Sequence, residues 1–248
     1  MKRILSLAFF SFAASFLMSC EKEEVEPLLT GTTASDARAI SCLNYSYFNK
    51  QSGMVDFGKA RGEVVLVGFV EGLTMQEKQQ LLGRFPHFQG IEGEVAMDSG
   101  VITVVRLSTG TNCSDVEKLL VKLVKEPSIS FAHPFFEENP ADPEAPMTGL
   151  SNEFMVSIEG SGTLQELEQF IAETNTKIVF SFSDEIHVLS ADKNSAGSIL
   201  DICTKFNQQA FVTSAEPNLV YSFPALASGG VTYETVKGKN QNAYKRNK

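Results

Sequence analysis

The chain has 248 residues, 43% hydrophobic and 21% charged, with 19 Phe, 5 Tyr and no Trp. That length suits one or two domains, and the composition excludes a wholly disordered, collagen-like or multi-span membrane chain. With 21 Lys and Arg against 30 Asp and Glu the formal charge is −9. Phosphate backbones demand clustered Lys and Arg, so no nucleic-acid partner is expected.

Lys2 and Arg3 head an apolar run from Ile4 to Met18. It is shorter than the roughly 20 residues of a membrane span and fits the core of a secretory signal. It ends in Leu17-Met18-Ser19-Cys20, which resembles a bacterial lipobox. The resemblance implies a signal peptide over 1–19 and a diacylglycerol on the Cys20 thiol. The following Glu21-Lys22-Glu23-Glu24-Val25-Glu26 is similar to the surface-export signal of Bacteroidota lipoproteins. A cell-envelope protein is therefore expected, lipid-anchored to a membrane and not spanning it, with the outer membrane favoured and the side it faces, periplasm or cell surface, left open. Removing residues 1–19 takes away Lys2 and Arg3 alone and leaves a net −11. Residues 20–60 read as an acidic, polar tether.

Cys42, Cys113 and Cys203 remain, an odd number that permits at most one bridge within the chain. Their pairing stays open at this point. There is no CxxC, no HExxH and no glycine-rich phosphate loop, and His87, His133 and His187 are scattered. No metal, cofactor or small-molecule substrate is expected.

The rest of the chain contains one pattern twice. In residues 61–138, Val64–Val70 is a β-branched strand, and Thr74 with Glu77 forms a capping box for a helix running to about Arg84. Ile91–Ala96 and Val101–Leu107 make a hairpin across Asp98-Ser99-Gly100. Ser114 caps a second helix whose stripe is Val116, Leu119, Leu120, Leu123 and Val124. Pro127 stops it, and Ile129–Ala132 is a last strand. Residues 139–149 hold three prolines and read as a stiff linker.

In residues 150–224 the order returns. Phe154–Ile158 is a strand, Thr163 and Glu166 open a helix, and Ile178–Phe182 with Ile186–Leu189 form a hairpin. A helix over Ser195–Asn207 and a strand over Phe211–Ala215 complete it. The expected fold class is α+β: two tandem ferredoxin-like βαββαβ domains, each a four-stranded antiparallel sheet with both helices on one face. The other face of each sheet is left to solvent or a partner. Residues 225–248, with Lys237, Lys239, Lys245, Arg246 and Lys248, read as a basic, disordered tail.

The second repeat, from Glu153-Phe154-Met155-Val156 to Ser214-Ala215-Glu216-Pro217-Asn218-Leu219-Val220-Tyr221, resembles the subtilisin-type (S8 peptidase) prodomain, the I9 inhibitor family. The first resembles it more weakly, with His133 where the second has Glu216. The resemblance implies that Glu216 and Asn218 cap protease helices. It also implies that Val220, Tyr221, Ser222 and Phe223 thread the active-site cleft, with Phe223 next to the scissile bond. Pro224 follows, lacking a backbone N–H and fixing φ, and makes that bond hard to cut.

Only 25 residues follow Phe223 and no Ser-His-Asp motif is present, so the chain is not expected to be itself a subtilase. The expected function is inhibition or chaperoning of a subtilisin-like serine protease in trans. The rival is a non-catalytic cell-surface interaction or adhesion module. The two differ in the tail, because an inhibitor needs residues 219–225 extended and available.

Overall fold

The computed structural model describes residues 42–137, 146–224 and 231–236, with the backbone alone for 223–224 and 231–236. The signal peptide, Cys20, the acidic run and residues 237–248 lie outside the described residues. The described chain belongs to one compact unit spanning Ile40–Lys248. It is a mixed α+β structure of antiparallel strands and, among the described residues, four helices.

Strands β1 (Tyr45–Asn49) and β2 (Gly53–Gly58) pair as a hairpin inside the segment read as tether. Then follow β3 (Val64–Phe69), α1 (Met75–Leu82), β4 (Phe88–Met97), β5 (Gly100–Leu107), α2 (Cys113–Leu123) and β6 (Ile129–Glu137). The second βαββαβ series is β7 (Met147–Ser157), α3 (Leu164–Thr174), β8 (Lys177–Ser181), β9 (Ile186–Ser190), α4 (Ile199–Asn207) and β10 (Ser214–Pro224). Strand β11 (Val231–Val236) lies within the segment read as tail, and β7 begins inside the segment read as linker.

Each helix starts with a reciprocal capping box: Thr74 with Glu77, Asn112 with Asp115, Thr163 with Glu166 and Ser198 with Asp201. Two of these differ from the sequence reading. Asn112 rather than Ser114 opens α2, and Ser198 rather than Ser195 precedes α4, with Asp115 and Asp201 returning the hydrogen bonds.

The strands of the two series do not form two separate sheets. They join in one sheet of order β11-β10-β7-β6-β3-β5-β4, with β9 and β8 branching from β7. The branch follows from the length of β7. Its first part, Met147–Gly149, lies between β6 and β10; its second part, Glu153–Ser157, lies between β9 and β10. The strand therefore serves both series.

The sheet curls so that the backbone of β11 comes within 8 Å of β4. This curl encloses a core that neither helix pair touches. Val64, Leu66, Val95, Ile102, Val104, Phe131, Phe135 and Val220 fill it, with Met97 and Met147 at its margin. Alternating residues of the same strands, Val65, Val67, Val105 and Leu107, face α1 and α2. Burial on both faces accounts for the unbroken apolar run of β3, where a strand with one wet face would alternate. Gly149 makes room at the crossing, since a Cβ there would stand 2.8 Å from both Leu66 and Phe135 side chains. The first series thus departs from the expectation of an open sheet face: strands that follow it in the chain cover it.

The third core lies between β7, β9, β10 and helices α3 and α4, with Phe154, Phe206, Leu167 and Ile202 fully buried. The β1–β2 hairpin reaches both helix layers. Phe48 N donates to Thr204 Oγ1 at 3.0 Å and Lys50 N to Asn207 Oδ1 at 3.2 Å. At its other end Cys42 is disulfide-bonded to Cys113, the first residue of α2, with Cα atoms 5.9 Å apart. Cys203 is free and buried.

This bridge spans 71 positions, so chain-entropy arguments give it about 4 kcal/mol of stability. Urea denaturation of the Cys42→Ser chain should show a loss of that order. The native chain under reductant should match it, and an unchanged midpoint would contradict the assignment.

Candidate functional site

Residues 216–224 all fall on β10. From Leu219 to Ser222 the strand pairs with β7 on one side, and from Leu219 to Pro224 it pairs with β11 on the other. Val220 is fully buried in the enclosed core, Ser222 is buried, and Tyr221 is half-buried. Met147 N donates to Ser222 Oγ at 3.0 Å. Phe223 and Pro224 pair through their backbone with Thr232 and Val231. The segment is extended, as a cleft-threading tail would be, but both its edges are occupied. Threading it elsewhere would require drawing Val220 from the core and separating two strand partners.

Glu216 is exposed, and its Oε1 accepts from Asn49 Nδ2 of the hairpin tip at 3.3 Å. Asn218 is buried at an irregularity of the β7–β10 ladder between Pro217 and Leu219. Its Nδ2 donates to Glu153 Oε2 at 3.2 Å, and its carbonyl accepts from Ser151 Oγ at 2.7 Å. Glu153 is itself fully buried, and its Oε1 accepts from Ser99 N at 2.5 Å. Ser99 Oγ also donates to Asn152 Oδ1 at 3.1 Å. The carboxylate thus ties the β4–β5 turn to the strand that branches and to the irregularity of β10. Sequence reading missed Glu153. Its signal was an acidic residue in an otherwise buried strand, which needs donors wherever it lies.

His133, the first-series counterpart of Glu216, is part-buried beside Phe131. Its Nδ1 lies 3.0 Å from Ser151 O and 3.3 Å from Leu150 O, where an Nδ1–H can donate to both carbonyls. Burial lowers its pKa from 6.5 to about 4, against the opposing effect of these hydrogen bonds. Burial also pushes the Cys203 thiol well above its ordinary value, with the Glu216 charge adding to the effect, so it stays protonated.

The two series differ most on the sheet faces turned away from the helices. In the second, Phe154 and Val156 face α3 and α4, so Met155 between them points the other way. It lies in a cross-strand row with Val188 and Phe180. Phe180 is 43% exposed, and its ring meets that of Phe182 edge-on at 4.9 Å. Within this row Val188 is buried and Met155 half-buried, so Phe180 is its exposed member. Two adjoining grooves of about 300 and 390 Å³ lie where the sheet branches, sharing Phe69, Glu71, Ser99, Ser130 and Asn152. Their linings hold no His or Cys. Among the described residues no cluster of His, Cys, Asp and Glu could hold a metal, and no helix is long and apolar enough to cross a membrane.

The lowered His133 value makes stability pH-dependent. Between about pH 4 and 6.5 the unfolded chain binds a proton there that the folded chain does not, so the His133 contribution is full above pH 6.5 and is lost as pH falls toward 4. With allowance for its part-exposed ring, about 2 kcal/mol should disappear over that interval. Denaturant titrations at pH 7 and pH 4.5 measure it, and His133→Gln should flatten the difference. No protein-family model matches the chain, and no curated protein matches it.

Proposed function

We propose that this chain is a lipid-anchored, non-catalytic protein-binding module of the cell envelope, built from two ferredoxin-like repeats. In this reading it docks a folded partner on the outer sheet face of the second repeat, around Phe180. The observation that carries it is the asymmetry between the repeats: β10 covers the outer face of the first sheet, while on the outer face of the second Phe180 is exposed beside a half-buried Met155 and a buried Val188. Aromatic side chains on a rigid sheet, 43% exposed at Phe180, are the usual anchors of protein–protein contacts. The Cys42–Cys113 disulfide supports an oxidising compartment outside the cytosol. Cys20 is the anchor in this proposal, as the lipobox resemblance implies.

A subtilisin-like serine protease as the partner is the second reading, favoured by strand order. The first series runs β6-β3-β5-β4 and the second β10-β7-β9-β8. Both are the fourth-first-third-second order of a ferredoxin-like sheet, which the prodomain resemblance requires. Docking by the sheet face leaves β10 in place. Cleft threading by Val220 to Phe223, with Glu216 and Asn218 as caps, needs its release.

Titrating the unlipidated, oxidised chain against a broad-specificity subtilisin-like protease separates the readings. Inhibition that weakens at least tenfold in Phe180→Asp and survives Tyr221→Ala places the protease on the sheet face. Inhibition abolished by Tyr221→Ala but indifferent to Phe180→Asp would restore the threading mode. If the folded chain at micromolar concentration leaves the protease untouched, the protease reading falls and adhesion to another envelope protein stands.

A further inference from the structure

The helix layer of the first series carries a surface with a different character from the rest of this acidic chain. On α2, Lys118, Val121 and Lys122 are exposed at helical spacings of three and four, and Lys125 continues the stripe just beyond the helix. Val121 is 56% exposed. None of the three lysines forms an ion pair among the described residues. The acidic groups near them are already engaged: Asp115 Oδ2 accepts from Asn112 N in the cap, and Glu117 Oε1 accepts from Leu43 N at 2.8 Å. Glu126, past the helix end, is part-buried. Lys193 adds a further positive charge there, its Nζ donating to Glu126 O and Pro127 O at 2.8 and 3.3 Å. By contrast α3 holds Glu166, Glu168 and Glu173 and no lysine.

The Glu117 contact has a second effect, since it holds Leu43 against α2 with 63% of its surface exposed. Leu43 and Val121 thus stand as two exposed aliphatic side chains beside three unpaired lysines. That pairing of apolar tips with ammonium groups is how proteins meet the headgroup region of a bilayer. The adjacent residue, Cys42, is covalently bound to the first turn of α2. Whatever leads from Cys20 to the folded body therefore joins it at this same helix.

We propose that the exposed face of α2, with Leu43, docks on an anionic phospholipid bilayer. The proposal rests on the lipid-anchor reading for its setting. A chain of 21 residues between Cys20 and Cys42 spans at most about 75 Å, so the anchor holds this face at high local concentration near the membrane. Three lysines provide a weak, salt-sensitive attraction that the anchor makes persistent. The body would then lie with its first helix layer toward the lipid.

The test uses the unlipidated Cys20→Ser chain with Cys42–Cys113 oxidised, co-sedimented with vesicles. Binding is expected to phosphatidylcholine vesicles containing phosphatidylglycerol, and not to phosphatidylcholine alone. It should fall at least tenfold in Lys118→Glu/Lys122→Glu/Lys125→Glu, shown by circular dichroism to be folded, and in high salt. Equal binding to both vesicle types, no binding to either, or indifference to the triple reversal would overturn the proposal. Fatty-acid labelling of Cys20 in the native chain tests the anchor separately, so either can fail alone.

Discussion

The need to cover two faces of one strand governs this structure. Val64 to Val67 of β3 are buried throughout, with alternate residues pointing at the α1–α2 layer and into the enclosed core. Helices can cover only one of those faces. The second is covered because β7 is long enough to leave the second series and pair with β6, carrying β10 and Val220 across Leu66 and Phe135. Without that crossing, the first sheet would expose Leu66, Val104 and Phe135, each worth about 1.5–3 kcal/mol on burial. The shared sheet is thus a consequence of apolar patterning in the first repeat.

The same crossing decides what the C-terminal strand can do. As the lid of a core, β10 serves stability along residues 219–222, and its edge at 219–224 is occupied by β11. The polar knot of Glu153, Asn218 and Ser99 sits where the strand changes partners, and it satisfies groups that the irregular ladder would otherwise leave buried and unpaired. In the proposed binding modes recognition falls to the outer face of the second sheet around Phe180 and to the outer face of α2.

Much of the secondary structure was legible because its signals are local. The Thr74–Glu77 and Thr163–Glu166 boxes, the stripe of α2 and the turn at Asp98-Ser99-Gly100 each lie within a few residues. The hairpin of Tyr45–Gly58 was not legible, since its polar exposed face masks Tyr45, Tyr47, Val55 and Phe57, whose burial depends on distant partners such as Phe136. The closure of the first sheet was hidden for the same reason. Its one sequence trace was Val64-Val65-Leu66-Val67, an unbroken apolar run where an open sheet would alternate. The pairing of Cys42 with Cys113 depends on where the hairpin lies, and no spacing rule supplies that.

The central claim is that residues 219–224 form an integral strand, held on both edges in the resting protein. Amide hydrogen exchange of the native chain tests it most directly. The account predicts that the amides of Leu219 to Ser222 exchange as slowly as those of Val64 to Val67, because releasing them opens the enclosed core. Exchange in that segment at the rate of an unpaired chain, with β3 still protected, would contradict it and return the segment to the role of a free tail.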